Sequence, residues 1–400
     1  MTQRQPSDWA DFLDMLKAAA ELIRLTSRPS DPQMEAELSQ QLLTNIATAY
    51  FIYFLATPEH PDWIPLPSLA FIVQPNPDDI YLRAPLRGDL TYRIVGERGT
   101  ARVVTLGIKE GLVGTAEPPH PMLNFCDVDT LELEADGSFE LLLSQERPLG
   151  HVGNWLYLDP RATTIQARFR FYDWAKERDG RLAIECLDSP VEKPVATRAE
   201  IAERLGATAR YVERYARTWM DYQQGLRDRG MINTLEFTAF AELGGLDPKL
   251  AAAAVPQHYW SGIFELGADE ALILETALPD PIRYWNVQLN DPLFNAVDYV
   301  NRQSSLNGSQ ARLDEDGLFR AVISAVDPGV PNWLDTAGFS HGTLIGRWFG
   351  CGEGPLPSLT KVPLAAVRDF LPKDTPVMAR EDRAGVISAR RRAAQMRRHW

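Results

Sequence analysis

The chain has 400 residues and a formal net charge of −13, enough length for two or more domains that each bury a core. The acidic balance excludes the broad basic footprint that holds phosphate, so nucleic acid is not an expected partner. Its cysteines, Cys126, Cys186 and Cys351, stand far apart without paired histidines, which argues against a structural metal and against a disulfide framework.

The opening MTQRQPSDWADF lacks the basic-then-apolar layout of a signal peptide, so a cytoplasmic protein is expected. Ser7 or Asp8 caps a helix whose Trp9, Phe12, Leu13, Leu16 and Ile23 recur at helical spacing and form one apolar stripe. Arg28-Pro29-Ser30 breaks it. Asp31-Pro32 then supplies a cap and a first-turn proline for a second helix that runs to Thr57-Pro58. The apolar stretch from Leu42 to Ala56 is shorter than the ~20 residues a bilayer requires. It also contains Thr44, Asn45 and Thr48, so it reads as a buried core helix and no membrane partner is expected. Residues 1–64 are a helical hairpin that must lie against a larger body.

From about Leu66 the period changes to two. Leu90 to Val95, Ala101 to Ile108, Thr130 to Leu133, Phe139 to Ser144, Thr164 to Phe171 and Arg181 to Leu187 read as short strands. Asp136-Gly137 and Asp179-Gly180 carry the signature of type I′ hairpin turns. The spacing predicts a first β-sandwich module over 65–196, in the jelly-roll manner. Thr197-Arg198-Ala199-Glu200 is a capping box that opens a helical insert over 197–255. It comprises one helix to Leu205-Gly206, a longer one from Thr208 to Arg229 stopped by Gly230, and a looser continuation to Ala254. A second β-sandwich module follows over 256–358. The tail, 359–400, is helical and basic through Arg390-Arg391-Arg392 and Arg397-Arg398. That tail is expected to dock on the acidic body or on a neighbouring subunit, which leaves a homo-oligomer open.

The two modules share a layout. Asp136-Gly137-Ser138-Phe139 matches Asp316-Gly317-Leu318-Phe319, and Ser144 and Pro148 match Ser324 and Pro328 at one constant offset. After a short slip, Asn154-Trp155-Leu156 falls on Asn332-Trp333-Leu334 and Arg168 falls on Arg347. A period this long means tandem duplication of a whole domain. Features present in both copies are most simply structural. What the second copy has alone is the glycine-flanked His341, suited to acid–base work, and the polar run Asp298 to Gly308. In that run Asn301, Arg302, Gln303 and Ser304 can orient an anionic or hydroxylated handle. No GxGxxG, Walker, HExxH or EF-hand pattern occurs, so no cofactor is expected.

Tyr284-Trp285-Asn286-Val287-Gln288-Leu289, the Asn301 to Asn307 run, and Asp327-Pro328-Gly329 through Asn332-Trp333-Leu334 resemble the bacterial domain-of-unknown-function family 1214 over roughly Tyr284 to Gly350. Gln74 to Tyr81 resembles, more loosely, the companion domain often found upstream. The resemblance implies tandem jelly-roll sandwiches and transfers no activity.

The residues point to a cofactor-independent hydrolase or lyase acting on a small, largely apolar molecule with a polar or anionic handle. His341 is the expected acid–base group, Asp335 or Asp327 its orienting carboxylate, and Arg302 or Arg347 the anchor. Tyr259, Tyr284 or Trp285, Asn301, Ser304 and Asn332 would complete the lining. The rival reading is a non-catalytic jelly-roll protein that binds carbohydrate or another small ligand.

Overall fold

A computed structural model describes residues 6–28, 30–66, 76–116, 121–238, 257–352 and 354–397. Asp8 caps helix α1 (Trp9–Leu16) by accepting from the Asp11 amide. The chain then tightens into a 3-10 run over Lys17–Leu25. That change of winding shifts the phase of the apolar residues. Phe12, Ala19 and Leu22 are buried while Trp9 and Leu13 face solvent, so the single stripe expected from Trp9 to Ile23 is only partly used. Asp31 and Pro32 start α2 (Pro32–Tyr53), which ends ahead of Thr57-Pro58. No helix among the described residues is long and apolar enough to cross a membrane.

The first half comprises β1 (Ile64–Pro65), β2 (Asp79–Pro85), β3 (Tyr92–Glu97), β4 (Val103–Lys109), β5 (Met122–Asp127), β6 (Ser138–Ser144), β7 (Asn154–Tyr157), β8 (Thr164–Arg170) and β9 (Arg181–Cys186). One sheet has the order β1-β2-β8-β4-β5 and the other β7-β6-β3-β9. The strand expected at Thr130–Leu133 is absent. Asp127 accepts from the Asp129 amide and turns the chain into a 3-10 turn at Val128–Thr130, and the strand lies upstream as β5. A single helix, α3 (Arg198–Asp228), opens on the capping box and runs through Gly206 without a break until Gly230 ends it at φ 76°. The looser continuation to Ala254 lies outside the described residues.

The second half repeats the first strand for strand. It comprises β10 (Glu236–Thr238), β11 (Gln257–Glu265), β12 (Glu270–Thr276), β13 (Tyr284–Asn290), β14 (Ser305–Asn307), β15 (Phe319–Ser324), β16 (Trp333–Asp335), β17 (His341–Phe349) and β18 (Ser358–Pro363). Its sheets run β10-β11-β17-β13-β14 and β16-β15-β12-β18, the same two orders, including a parallel edge pair in each half. Each half is therefore a jelly-roll-like sandwich, and the protein is mainly β with helical additions.

The repeated motifs make the same bonds twice. Asn154 donates to the carbonyls of Glu132 and Glu140, and Asn332 to those of Arg312 and Arg320. Trp155 and Trp333 each donate to the serine at the end of the neighbouring strand, Ser144 and Ser324. The two Asp-Gly turns are alike but are not type I′. Gly137 and Gly317 have φ of 82° and 80°, whereas neither Asp136 nor Asp316 has positive φ, so each is a three-residue loop closed by a left-handed glycine. The Asp179-Gly180 turn is not type I′ either. Gly180 does not take a positive φ and is needed because a Cβ there would meet the Glu97 carbonyl at 2.0 Å. At the centre of the large sheets the halves trade sizes: Leu82 stands opposite Ala167, and at the matching register Trp260 stands opposite Gly346. A Cβ at Gly346 would lie 1.8 Å from the Trp260 ring.

The large sheets turn their outer faces toward each other. Ile165, Ala167 and Phe169 of β8 point into the first core, and Leu344 and Trp348 of β17 into the second. Val103 of β4 meets Tyr284 and Phe349 across the junction. Helix α3 lays Trp219 and Tyr222 over Ile263 and Ile345 of the second sheet, and α2 packs Met34 and Leu38 against its Val212 and Ala216.

Helix α4 (Arg380–Met396) straps both halves. Arg383 pairs with Asp327 at 2.9 Å, Arg390 donates to the Tyr299 carbonyl and Ser305, and Arg397 stands 3.9 Å from the centroid of Trp174 and donates to the Pro77 carbonyl. Arg383, Arg390 and Arg397 are thus turned inward onto the chain's own body, whereas Arg391 and Arg392 stay exposed and Arg398 lies outside the described residues. Replacing Arg390 by Ala leaves a buried carbonyl and hydroxyl without a donor, and denaturant unfolding should show a loss of about 2–4 kcal/mol. An unchanged midpoint would mean that the helix does not hold the halves.

Candidate functional site between the two large sheets

Strand alternation puts Asp79 and Tyr81 of β2, Arg168 and Arg170 of β8, and Lys109 of β4 on the face that looks toward the second half. From the other side β11 brings Tyr259, β13 Asn286 and Gln288, and β17 Arg347. Arg170 grips Asp79 with two bonds, 2.8 and 3.0 Å, and its guanidinium lies 4.5 Å from the centroid of Tyr284. Arg168 reaches the same carboxylate at 3.4 Å and leaves its Nε without a hydrogen-bond acceptor. Arg347, 2% exposed, donates to Asn286 at 3.2 Å and Gln288 at 2.7 Å, both neutral amides.

The duplication is visible in this seam. Arg168 lies 5.1 Å from the Tyr81 ring centre and Arg347 5.4 Å from that of Tyr259, the same cation–π pair once from each half. Burial would raise the Asp79 carboxyl, yet the charge and hydrogen bonds of Arg170, with the charges of Arg168 and Arg347, outweigh it and hold the group below the usual carboxylate range. Burial, with Arg168 nearby, brings the Lys109 amine down to about 8. Asp78 is engaged elsewhere, accepting from Tyr284 at 2.6 Å and from Asn307 and Trp174 at 2.7 Å. Among the described residues, three guanidinium groups therefore act on the one carboxylate of Asp79, and surplus charge buried this way is costly unless an anion joins it.

The residues expected to form one site divide between places. Arg347 and Tyr259 meet in the seam. Tyr284 borders it but is sealed by Asp78, and Trp285 faces the opposite way into the second core against Phe319 and Trp348. His341 bonds through Nε2 to Ser27 at 2.8 Å and through Nδ1 to Ser340 at 3.4 Å, with no carboxylate of the described residues bonded to either nitrogen. Asp335 instead receives Arg302 at 2.9 Å, and Asp327 is held by Arg383. Asn301 bonds Asp298 and Arg391, Ser304 donates to the Val297 carbonyl, and Asn332 serves backbone, so these three are structural. Asp79, Lys109, Tyr81 and Arg170 were missed. The sign that could have found them is the second repeat pair, Tyr81 with Tyr259, which accompanies Arg168 with Arg347.

The model of the family Protein of unknown function (DUF1214) matches residues 83–176. An uncharacterized protein from Burkholderia cenocepacia is 30% identical, with 90% of this chain and 97% of that one covered at a TM-score of 0.81. The chain belongs to the DUF1214 family. The match falls on the first half, whereas the motifs that carried the resemblance lie in the second; the common strand order links the two. In this DUF1214 chain the matched segment contains Lys109, Arg168 and Arg170. The VPA0106 protein from Vibrio parahaemolyticus is 14% identical, with 82% and 99% coverage and a TM-score of 0.45. No curated protein matches the chain.

Burial, with the charges of Arg28 and Arg227, moves His341 from 6.5 down to about 4. A base whose folded value is depressed binds its proton more readily when unfolded. Stability should therefore fall as pH drops from about 6.5 toward 4, and His341→Gln should blunt that fall in thermal melts across the window. An identical acid limb in the variant would assign the sensitivity to other groups.

Proposed function

We propose that the protein binds a small anionic molecule with a largely apolar body in the seam between its two large sheets. Arg168 and Arg347 hold the anion, and Tyr81 and Tyr259 flank it. The reading rests on one observation: Arg168, Arg170 and Arg347 all act on the carboxylate of Asp79, and among the described residues the side-chain acceptors of Arg347 are neutral amides. A carboxylate, sulfate or phosphate would accept from both guanidinium groups and balance the charge. Trp219 of α3 and Phe294 of the connection between β13 and β14, stacked at 4.7 Å, share an apolar cluster with Tyr259 and supply apolar surface close by. The surroundings of His341 favour this binding reading over the acid–base pair expected from the sequence.

Calorimetry on the full chain with benzoate, octanoate and phenyl phosphate, against benzyl alcohol as the uncharged control, tests it. Saturable binding of the anions alone is expected, weakened about tenfold or more in Arg168→Gln and in Arg347→Gln, the effect of one lost charged hydrogen bond. Equal binding of the alcohol, or anion binding unchanged in both variants, would remove the seam as the site. One feature keeps a hydrolase or lyase as a second reading. An amine near 8 at Lys109 is a competent base close to neutrality, and Lys109→Met would then abolish turnover while leaving anion affinity within about threefold.

A further inference from the structure

Strand β4 turns Leu106 and Ile108 into the first core, so alternation sets Thr105, Gly107 and Lys109 on the opposite face, the one that looks into the seam. Lys109 pairs with Thr164 of β8, whereas Arg168 pairs with Thr105. The two side chains start four register positions apart on neighbouring strands, about 13 Å of strand, which lies within the combined reach of a lysine and an arginine. The charge of Arg168 acts on the amine. Between them β4 carries Gly107, where an added Cβ would meet only the Met122 side chain, at 3.4 and 3.5 Å, so no side chain of β4 fills the interval.

The amine is uncommitted. Lys109 is half-buried, and among the described residues no carboxylate or other acceptor bonds its Nζ. Nor is Nζ one of the sealed polar atoms of the interior, as Arg168 Nε is, so a small molecule has a way to it. The chain leaving Lys109 soon enters an apolar cluster in which Val113 lies with Tyr215, Trp219 and Tyr259. A lysine that is desolvated, set beside a second cation and held by no carboxylate is disposed to be a neutral amine, and the neutral amine is the nucleophile. With its proton affinity lowered to about 8, an appreciable share of Lys109 is in that form near neutrality. We propose that Lys109 captures a small oxo acid covalently, by condensing with its aldehyde or ketone carbonyl while Arg168 holds its carboxylate. This rests on the anion reading of the seam and adds a reactive group to it. Nζ attacks the carbonyl carbon and a C–N bond forms. The two amine protons leave with the carbonyl oxygen as water, and the imine nitrogen takes one proton from solvent.

Reductive trapping on the full chain tests it. The protein is incubated with levulinate and cyanoborohydride, which delivers hydride to the imine carbon and fixes the adduct as a secondary amine. Peptide mass mapping should find the mass of the acid less one oxygen atom on Lys109, about tenfold or more ahead of the exposed Lys17 and Lys176. Butanone carries the carbonyl without the charge and reports the reactivity of the amine by itself. Arg168→Gln should cut labelling by levulinate about fivefold or more relative to butanone, the effect of one lost charged hydrogen bond. Lys109→Arg should abolish the adduct and keep calorimetric binding of valerate, an acid without the carbonyl, within about threefold. Should Lys109→Arg fold poorly, the peptide map of the unaltered chain decides by itself. Labelling spread evenly over the lysines, or butanone as effective as levulinate at Lys109, would overturn the proposal. Valerate binding without any levulinate adduct would overturn the covalent capture and leave the anion reading standing, whereas loss of both would end the two together.

Discussion

The bidentate pair of Arg170 and Asp79 is the contact on which the arrangement of the halves rests. Both partners are almost wholly removed from solvent, and such a pair is tolerable only when its remaining bonds are met. They are met from both halves. Asn76 donates to Asp79, Gln257 accepts from Arg170, and Tyr284 and Phe349 offer their ring faces to the guanidinium. A shift of one sandwich against the other would strand these groups together, which makes the junction specific where a purely apolar one could slide. The same rigidity holds Arg168 and Arg347 at one place, so the charge surplus of the seam is a property of the assembled pair and of neither half alone.

Much of the architecture was legible because it depends on short-range chemistry. The capping residues Asp8, Asp31 and Thr197, the stop at Gly230, and the alternating runs of β3, β4, β6, β8 and β9 need nothing beyond their neighbours to declare themselves. What failed was decided over longer range. Strand β2 carries Asp79, Arg83 and Pro85 and does not read as a strand until its polar face is seen to meet another polar face. The break expected at Gly206 was closed by packing, because α3 is held along its length by α2 and by the second sheet.

The candidate site was legible only in fragments, and the reason lies in how the duplication was used. A feature kept in both copies reads as a strut, which is correct for Asn154 with Asn332 and for Trp155 with Trp333, whose bonds are the same in each half. For Arg168 and Arg347 the same reasoning points away from their setting, since two equivalent surfaces placed face to face bring their shared residues together. His341 has no counterpart in the first half, and its setting is a long-range bond to Ser27 of the N-terminal segment with Ser340 beside it. Nothing in the sequence ties those two positions together.

The exchange of Leu82 and Ala167 in one half for Trp260 and Gly346 in the other bears on how a chain of two halves with the same strand order avoids mispairing. During folding each central strand meets two partners of similar pattern, its own and the cousin from the other copy, and tandem relatives are prone to such mistaken assembly. An indole opposite an alanine would be overfilled, and a leucine opposite a bare glycine would leave a void. Volume thus acts as a key that only the proper neighbour fits. Two descendants of one ancestral sandwich can then mature side by side without trading strands.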